Sequence, residues 1–299
     1  MKTPFKSISG DGARMTRNSS FILMSFALLD LGDDVMAAKG NHTIAIVKGK
    51  ENYETLQESF ADVFNEINRL NSEKKIEVND RVINLEFFLG GDYKFILLMM
   101  GLKSATSNYA CVWCKVHKDH RWDTSVPLHH YESSNLERTI KQISELAKKK
   151  GEKNYCCEHT PLVTIELDHV ILDELHLLLR ILDVLIENLI RDALEWDQKE
   201  NKRKKKGQQK NTHLKNLQTT IRSCGISFDI WEKTNADGKG SGQYDFTSLL
   251  GSDKKKLLRE LPGKLNGVIQ PDTLEVVKNL WEKFGEIYST VTCMEPPQK

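Results

Sequence analysis

What this sequence has little of narrows it first. It holds six cysteines in 299 residues, too few for a scaffold built on disulfides. It has no run of about 18 apolar residues, so no helical membrane span is expected. Its richest apolar stretch, 170–190, is broken by Asp173, Glu174, His176, Arg180, Asp183 and Glu187, as in a helix that buries one face. The first ten residues contain no apolar core of signal-peptide length. Neither sign of charge prevails: the formal net charge is +1. Overall charge therefore does not announce a nucleic-acid partner, although a local basic patch on a neutral protein would serve one. No internal repeat is visible. The glycines of 238–242 lack the GxxxxGK[ST] pattern of a phosphate loop and read as a flexible connection.

What is present begins with β-compatible segments. Residues 5–9, 19–29 and 43–48 read as three strands, the first running into the turn pair Gly10-Asp11-Gly12. Leu56, Phe60, Val63, Phe64, Ile67 and Leu70 recur at helical spacing and predict a helix over 53–70. Residues 82–89 give a fourth strand, ended by Gly90-Gly91, and 95–102 a short helix. After Asn108 the texture changes to cysteine, histidine and tryptophan, then to a charged helix over 134–150, a long apolar helix over 169–196 and a final helix over 274–291. Pro271 is well placed for the first turn of the last one. The expected division is 1–106, an α/β sheet domain, and 107–299, a mostly helical remainder.

Three strands, a helix and a fourth strand can form a sheet in which the first and fourth strands are neighbours. Asp11 closes the first strand and Asp92 follows the fourth. If those strands run parallel, both carboxylates reach one sheet edge. There they could hold two Mg²⁺ or Mn²⁺ ions about 3.5–4 Å apart, the arrangement that cleaves phosphodiesters. The plain structural alternative is that Asp-Gly makes a turn and Gly-Gly-Asp caps a helix.

Cys111 and Cys114 form a CxxC knuckle, which can place two thiolates on one Zn²⁺. His117 and His120 continue the spacing as CxxCxxHxxH, and His129, His130, Cys156, Cys157 and His159 are further options. The alternative is two half-buried cysteines among solvated histidines. Trp113 and Trp122 are expected to pack around the knuckle rather than stack on a base. Asp168, Asp173 and Glu174 are expected to be helix caps and surface groups. Lys202, Arg203, Lys204, Lys205 and Lys206 form a basic run that could contact DNA phosphates or act as a nuclear-import patch, or be a solvated loop.

Gly90-Gly91-Asp92-Tyr93-Lys94, Gly101-Leu102 and Tyr109-Ala110-Cys111-Val112-Trp113-Cys114 together resemble the catalytic core of the V(D)J recombination-activating recombinase and the Transib transposases. His129-His130-Tyr131, Asn135-Leu136-Glu137-Arg138 and the segment 161–173 continue the likeness in the same order, and Ser9-Gly10-Asp11-Gly12 matches the first catalytic aspartate. The resemblance implies a ribonuclease-H-like mixed sheet followed by a zinc-stapled helical insertion. Asp11 and Asp92 would be the first two acids of a DDE triad that nicks DNA and transfers the strand. It also implies DNA as partner, a homodimer and a nuclear location. The third acid, a glutamate, and two zinc-binding histidines would lie beyond residue 299; Glu286 and Glu295 match no family motif. The rival expectation is a transposase-derived DNA- or partner-binding protein without chemistry.

Overall fold

The computed structural model describes residues 5–16, 19–29, 40–133 and 135–292, and their side chains except at 5–7, 11, 13–16 and 206. Packing divides the chain into two compact units, 1–173 and 174–299.

The first unit is mixed α/β. Strands β1 (Phe5–Thr16), β2 (Ser19–Leu28) and β3 (Asn41–Lys48) pair antiparallel in sequence order. Helices α1 (Tyr53–Ser59) and α2 (Ala61–Glu73) follow, then a small hairpin, β4 (Lys75–Val78) and β5 (Arg81–Asn84). Strand β6 (Glu86–Gly91) returns to the main sheet parallel to β1 and leads into α3 (Tyr93–Met99). After α4 (Ile140–Leu146), β7 (Val170–Leu172) adds in parallel to β6. The five-stranded order is β3-β2-β1-β6-β7.

Several expected elements are redrawn. The helix expected over 53–70 is broken at Phe60, whose buried ring sits between α1 and α2. The single strand expected over 82–89 is two strands. Asn79 and Asp80 take left-handed φ of 49° and 59°, the twist of a two-residue hairpin, and turn β4 back on β5. The charged helix over 134–150 shrinks to α4. The expected helix over 169–196 starts only at Glu174, because Val170–Leu172 extends along the edge of β6. Strand β1 does not stop at Asp11 but continues to Thr16, paired with β2.

The texture change near Asn108 is not a break in packing. Val112, Ile140, Ile143, Cys157 and Val163 share one core with Ile8, Leu89 and Phe95. Two glycines position the end of this sheet. A Cβ on Gly10 would fall 2.3 Å from Phe95 Cζ, and one on Gly91, whose φ is +148°, 2.9 Å from Phe95 Cδ1. The fully buried Phe95 ring lies on these two glycines, which lets α3 start directly at the strand end.

The second unit is built on α5 (Glu174–Asn201), with α6 (Thr212–Arg222), the hairpin β8 (Ile230–Thr234) and β9 (Gly240–Phe246), α7 (Gly251–Glu260) and α8 (Pro271–Val291) around it. Leu178, Leu182, Ile186, Leu189, Leu217, Phe228, Leu257 and Trp281 form its core. Lys254 is buried there and is neutralised by Asp183 across the α5–α7 contact. Among the described residues no helix is long and apolar enough to cross a membrane.

Candidate functional site

Parallel pairing of three strands sets the geometry. Gly10 of β1 is level with Gly91 of β6, and Gly91 is level with Leu172 of β7. The next residue on each strand is an aspartate: Asp11, Asp92 and Asp173. The Asp173 amide donates to Gly91 O at 3.1 Å, which holds the β7 end against β6. Asp11 and Asp92, 81 positions apart, thus follow directly paired residues at one sheet edge. The side chain of Asp11 lies outside the described residues, so its carboxyl is not located.

Asp92 is the N-cap of α3: its backbone is extended, and Oδ1 accepts from the Phe95 amide at 2.7 Å. The capping role weighed as the alternative is therefore real, and it occupies one oxygen. Among the described residues no hydrogen bond is made to the other oxygen. Asp173, expected only as a cap or surface group, stands at this edge and has a further interaction of its own.

A fourth carboxylate was not expected. Glu51, between β3 and α1, has a side chain only 9% exposed. It pairs with Lys94, two residues after Asp92. Its other oxygen, Oε1, is buried without a hydrogen-bond partner, an uncommon and unfavourable state for a carboxylate. A Cβ on Gly12 would lie 2.8 Å from Glu51 Oε2, so Glu51 rests against the chain one residue beyond Asp11. Nothing local marks Glu51 in the sequence; it precedes Asn52, the N-cap of α1.

The CxxC pair is formed, but the tetrad is not. The Cys114 thiol donates to Cys111, which draws the Cys111 thiol down to about 6 against opposing burial. The same bond raises Cys114. His117 turns to Asp119, its Nδ1 accepting from the Asp119 amide at 3.4 Å, and stands 6.3 Å from the His120 ring. Among the described residues no three His, Cys, Asp or Glu side chains are grouped to hold a metal. His117 is the N-cap of the 3-10 turn at Lys118–His120, and His120 is exposed.

What closes the knuckle is Arg138, which is 2% exposed. It donates to Cys114 O, Tyr109 O, Tyr155 O and Cys157 Sγ, all at 2.9–3.1 Å. Trp113 packs against this core, with its indole N–H on Leu167 O, whereas Trp122 is 76% exposed. The basic run is a pinned loop. The Asn201 carboxamide bonds both the N–H and the C=O of Lys210, and Lys202, Arg203, Lys204 and Lys205 between them are exposed. Lys206 carries a side chain outside the described residues.

No protein-family model matches this chain, and no curated protein was found similar to it.

Proposed function

We propose that the first unit is a ribonuclease-H-like nuclease core of the DDE transposase and recombinase class, acting on DNA in the nucleus as part of a dimer. One observation carries the reading: three neighbouring parallel strands are in register at Gly10, Gly91 and Leu172, and each is followed by an aspartate. The order β3-β2-β1-β6-β7, three antiparallel strands then two parallel ones, supports it, as does the buried Glu51, whose Oε2 lies against Gly12 and whose Oε1 has no partner. In this reading Asp11 and Asp92 would hold Mg²⁺ or Mn²⁺, with Asp173 following the third strand in register. Bound there, such ions would supply activation of the attacking water or 3′-hydroxyl and stabilisation of the leaving oxygen. The chain's own contribution is to fix Asp92 at a helix start and to hold Lys94 in its ion pair with Glu51. Cys111 and Cys114 supply two ligands of a Zn²⁺ site, and Lys202–Lys206 contact phosphates.

The test is nicking of supercoiled DNA in Mn²⁺ by a form of the protein extended through the third acid that the resemblance implies. Asp92→Asn should lower the rate at least about a hundredfold, the scale of losing a group that stabilises transition-state charge. Asn caps helices about as well as Asp, so thermal stability should hold and separate chemistry from folding. Nicking that survives Asp92→Asn would end the assignment.

A second reading is favoured by the cap itself: with Oδ1 of Asp92 engaged, the fold serves DNA or partner binding without chemistry. It predicts salt-sensitive DNA binding and no nicking by the wild-type protein.

A further inference from the structure

The second unit holds a cavity that the carboxylate edge does not use. It lies where the end of α5, the start of α6 and the β8–β9 hairpin meet, and encloses about 520 Å³, within the size of sites that take small organic ligands. Its walls combine two chemistries. Leu194 and the Tyr244 ring offer apolar and aromatic surface, and Gln198 and Asn211 offer carboxamides. Its mouth carries Lys202, the first cation of the basic loop.

The polar groups divide into those already engaged and those available. Asp197, the only carboxylate of the lining, accepts from the His213 and Leu214 amides at 3.0 Å each and so starts α6. Asn201 is engaged in closing the loop at Lys210. Gln209 donates to Lys204 O at 3.4 Å. Asn211 is hydrogen-bonded to the Tyr244 hydroxyl, and burial pushes that phenol's pKa up, so it stays protonated. Among the described residues the Gln198 carboxamide has no partner. Gly242 forms the hairpin lip at φ +73° with no atom within 4 Å of the place a Cβ would take, which leaves the entrance open.

We propose that this cavity receives the base of a nucleotide whose phosphate is held by Lys202 and the cations that follow it. A nucleobase has two apolar faces and an amide-like edge, which match Tyr244 and Leu194 on one hand and Gln198 on the other. Glutamine and asparagine carboxamides read base edges by paired donor and acceptor, and aromatic rings stack on any base. The pinned loop supplies positive charge at the mouth: Lys202, Arg203 and Lys205 have no ion pair among the described residues, and Lys204 only a 3.8 Å approach to Glu200. The nucleotide belongs either to a DNA strand with an unstacked base or to a free nucleotide. The inference rests on reading the basic run as a phosphate contact, and not on the metal chemistry of the first unit.

The experiment uses the full chain in EDTA, where no nicking can occur. A short fluorescent deoxyadenosine oligonucleotide is compared with an abasic deoxyribose-phosphate strand of equal length. The base-bearing strand should bind at least about tenfold tighter, the scale of one stacked base. Gln198→Ala, at an exposed helix position, should remove most of that preference and leave the abasic affinity unchanged. Lys202→Ala should weaken both strands alike and reduce the salt slope by about one. Competition with deoxyadenosine monophosphate then assigns the source: displacement at micromolar concentration identifies a free nucleotide, and none at millimolar identifies a strand. Equal affinity for base-bearing and abasic strands, or no binding of any probe, overturns the inference. Base preference in EDTA together with no nicking in Mn²⁺ would sink the nuclease reading alone.

Discussion

Arg138 shows at the scale of one residue how much a single side chain organises. It is buried, pairs with no carboxylate among the described residues, and satisfies three backbone carbonyls from separate segments together with the Cys157 thiol. A guanidinium suits this task because its donors are fixed in one plane. The knuckle beside it has a testable acidity. The Cys111 thiol is drawn to about 6 by the bond from Cys114. Its folded value is below the ordinary thiol value, so the stabilisation is present above the unfolded pKa and lost as pH falls through about 6. In metal-free protein, iodoacetamide should modify Cys111 half-maximally near pH 6, well below the roughly 8.5 of a free thiol. Cys114→Ala should return that midpoint toward the ordinary range. A Cys111 midpoint unchanged by the substitution would show that Cys114 is not the cause. The sequence pattern identified the pair but not the outcome for His117 and His120. Ligand spacing states which side chains are near along the chain, not which way each one faces.

At the scale of elements, the meeting of β1, β6 and α3 depends on two missing side chains. Gly10 and Gly91 leave the space that the Phe95 ring fills. Gly10→Ala should lower stability by about 1–3 kcal/mol through overpacking, read as a drop in Tm, and Phe95→Leu in the same chain should recover part of it, because the two positions share one contact. Additive losses would argue against that contact. Asp92 was legible at this level, since Gly-Gly-Asp before an apolar run signals a strand end followed by a cap. Strand β7 was not: Val170-Ile171-Leu172 is three apolar residues ahead of a periodic helix, and local periodicity does not separate a short buried strand from a helical turn.

Across the whole molecule, two cores divide the chain at Asp173/Glu174, and the carboxylate edge and the basic loop belong to different ones. The second core, with Leu182, Ile186, Leu217 and Trp281 at its centre, contains enough apolar burial to be its own folding unit. Residues 174–292 expressed alone should give a helical circular dichroism spectrum and a cooperative thermal transition. A disordered product would show that this core needs the first unit.

The amino-acid sequence by itself determined the β-rich start, the mostly helical remainder, Asp92 at a strand end, the cysteine pair and the lysine run, because each is written in neighbouring residues. Only the tertiary structure decided that Gly10, Gly91 and Leu172 lie level, that Glu51 comes against Gly12, that Arg138 closes the knuckle, and that a cavity opens beside Lys202. Those outcomes are set by pairing and packing between residues from 17 positions apart, as for Arg138 and Tyr155, to about eighty, as for Gly10 and Gly91, and no local pattern encodes which distant partner a strand or a side chain will meet.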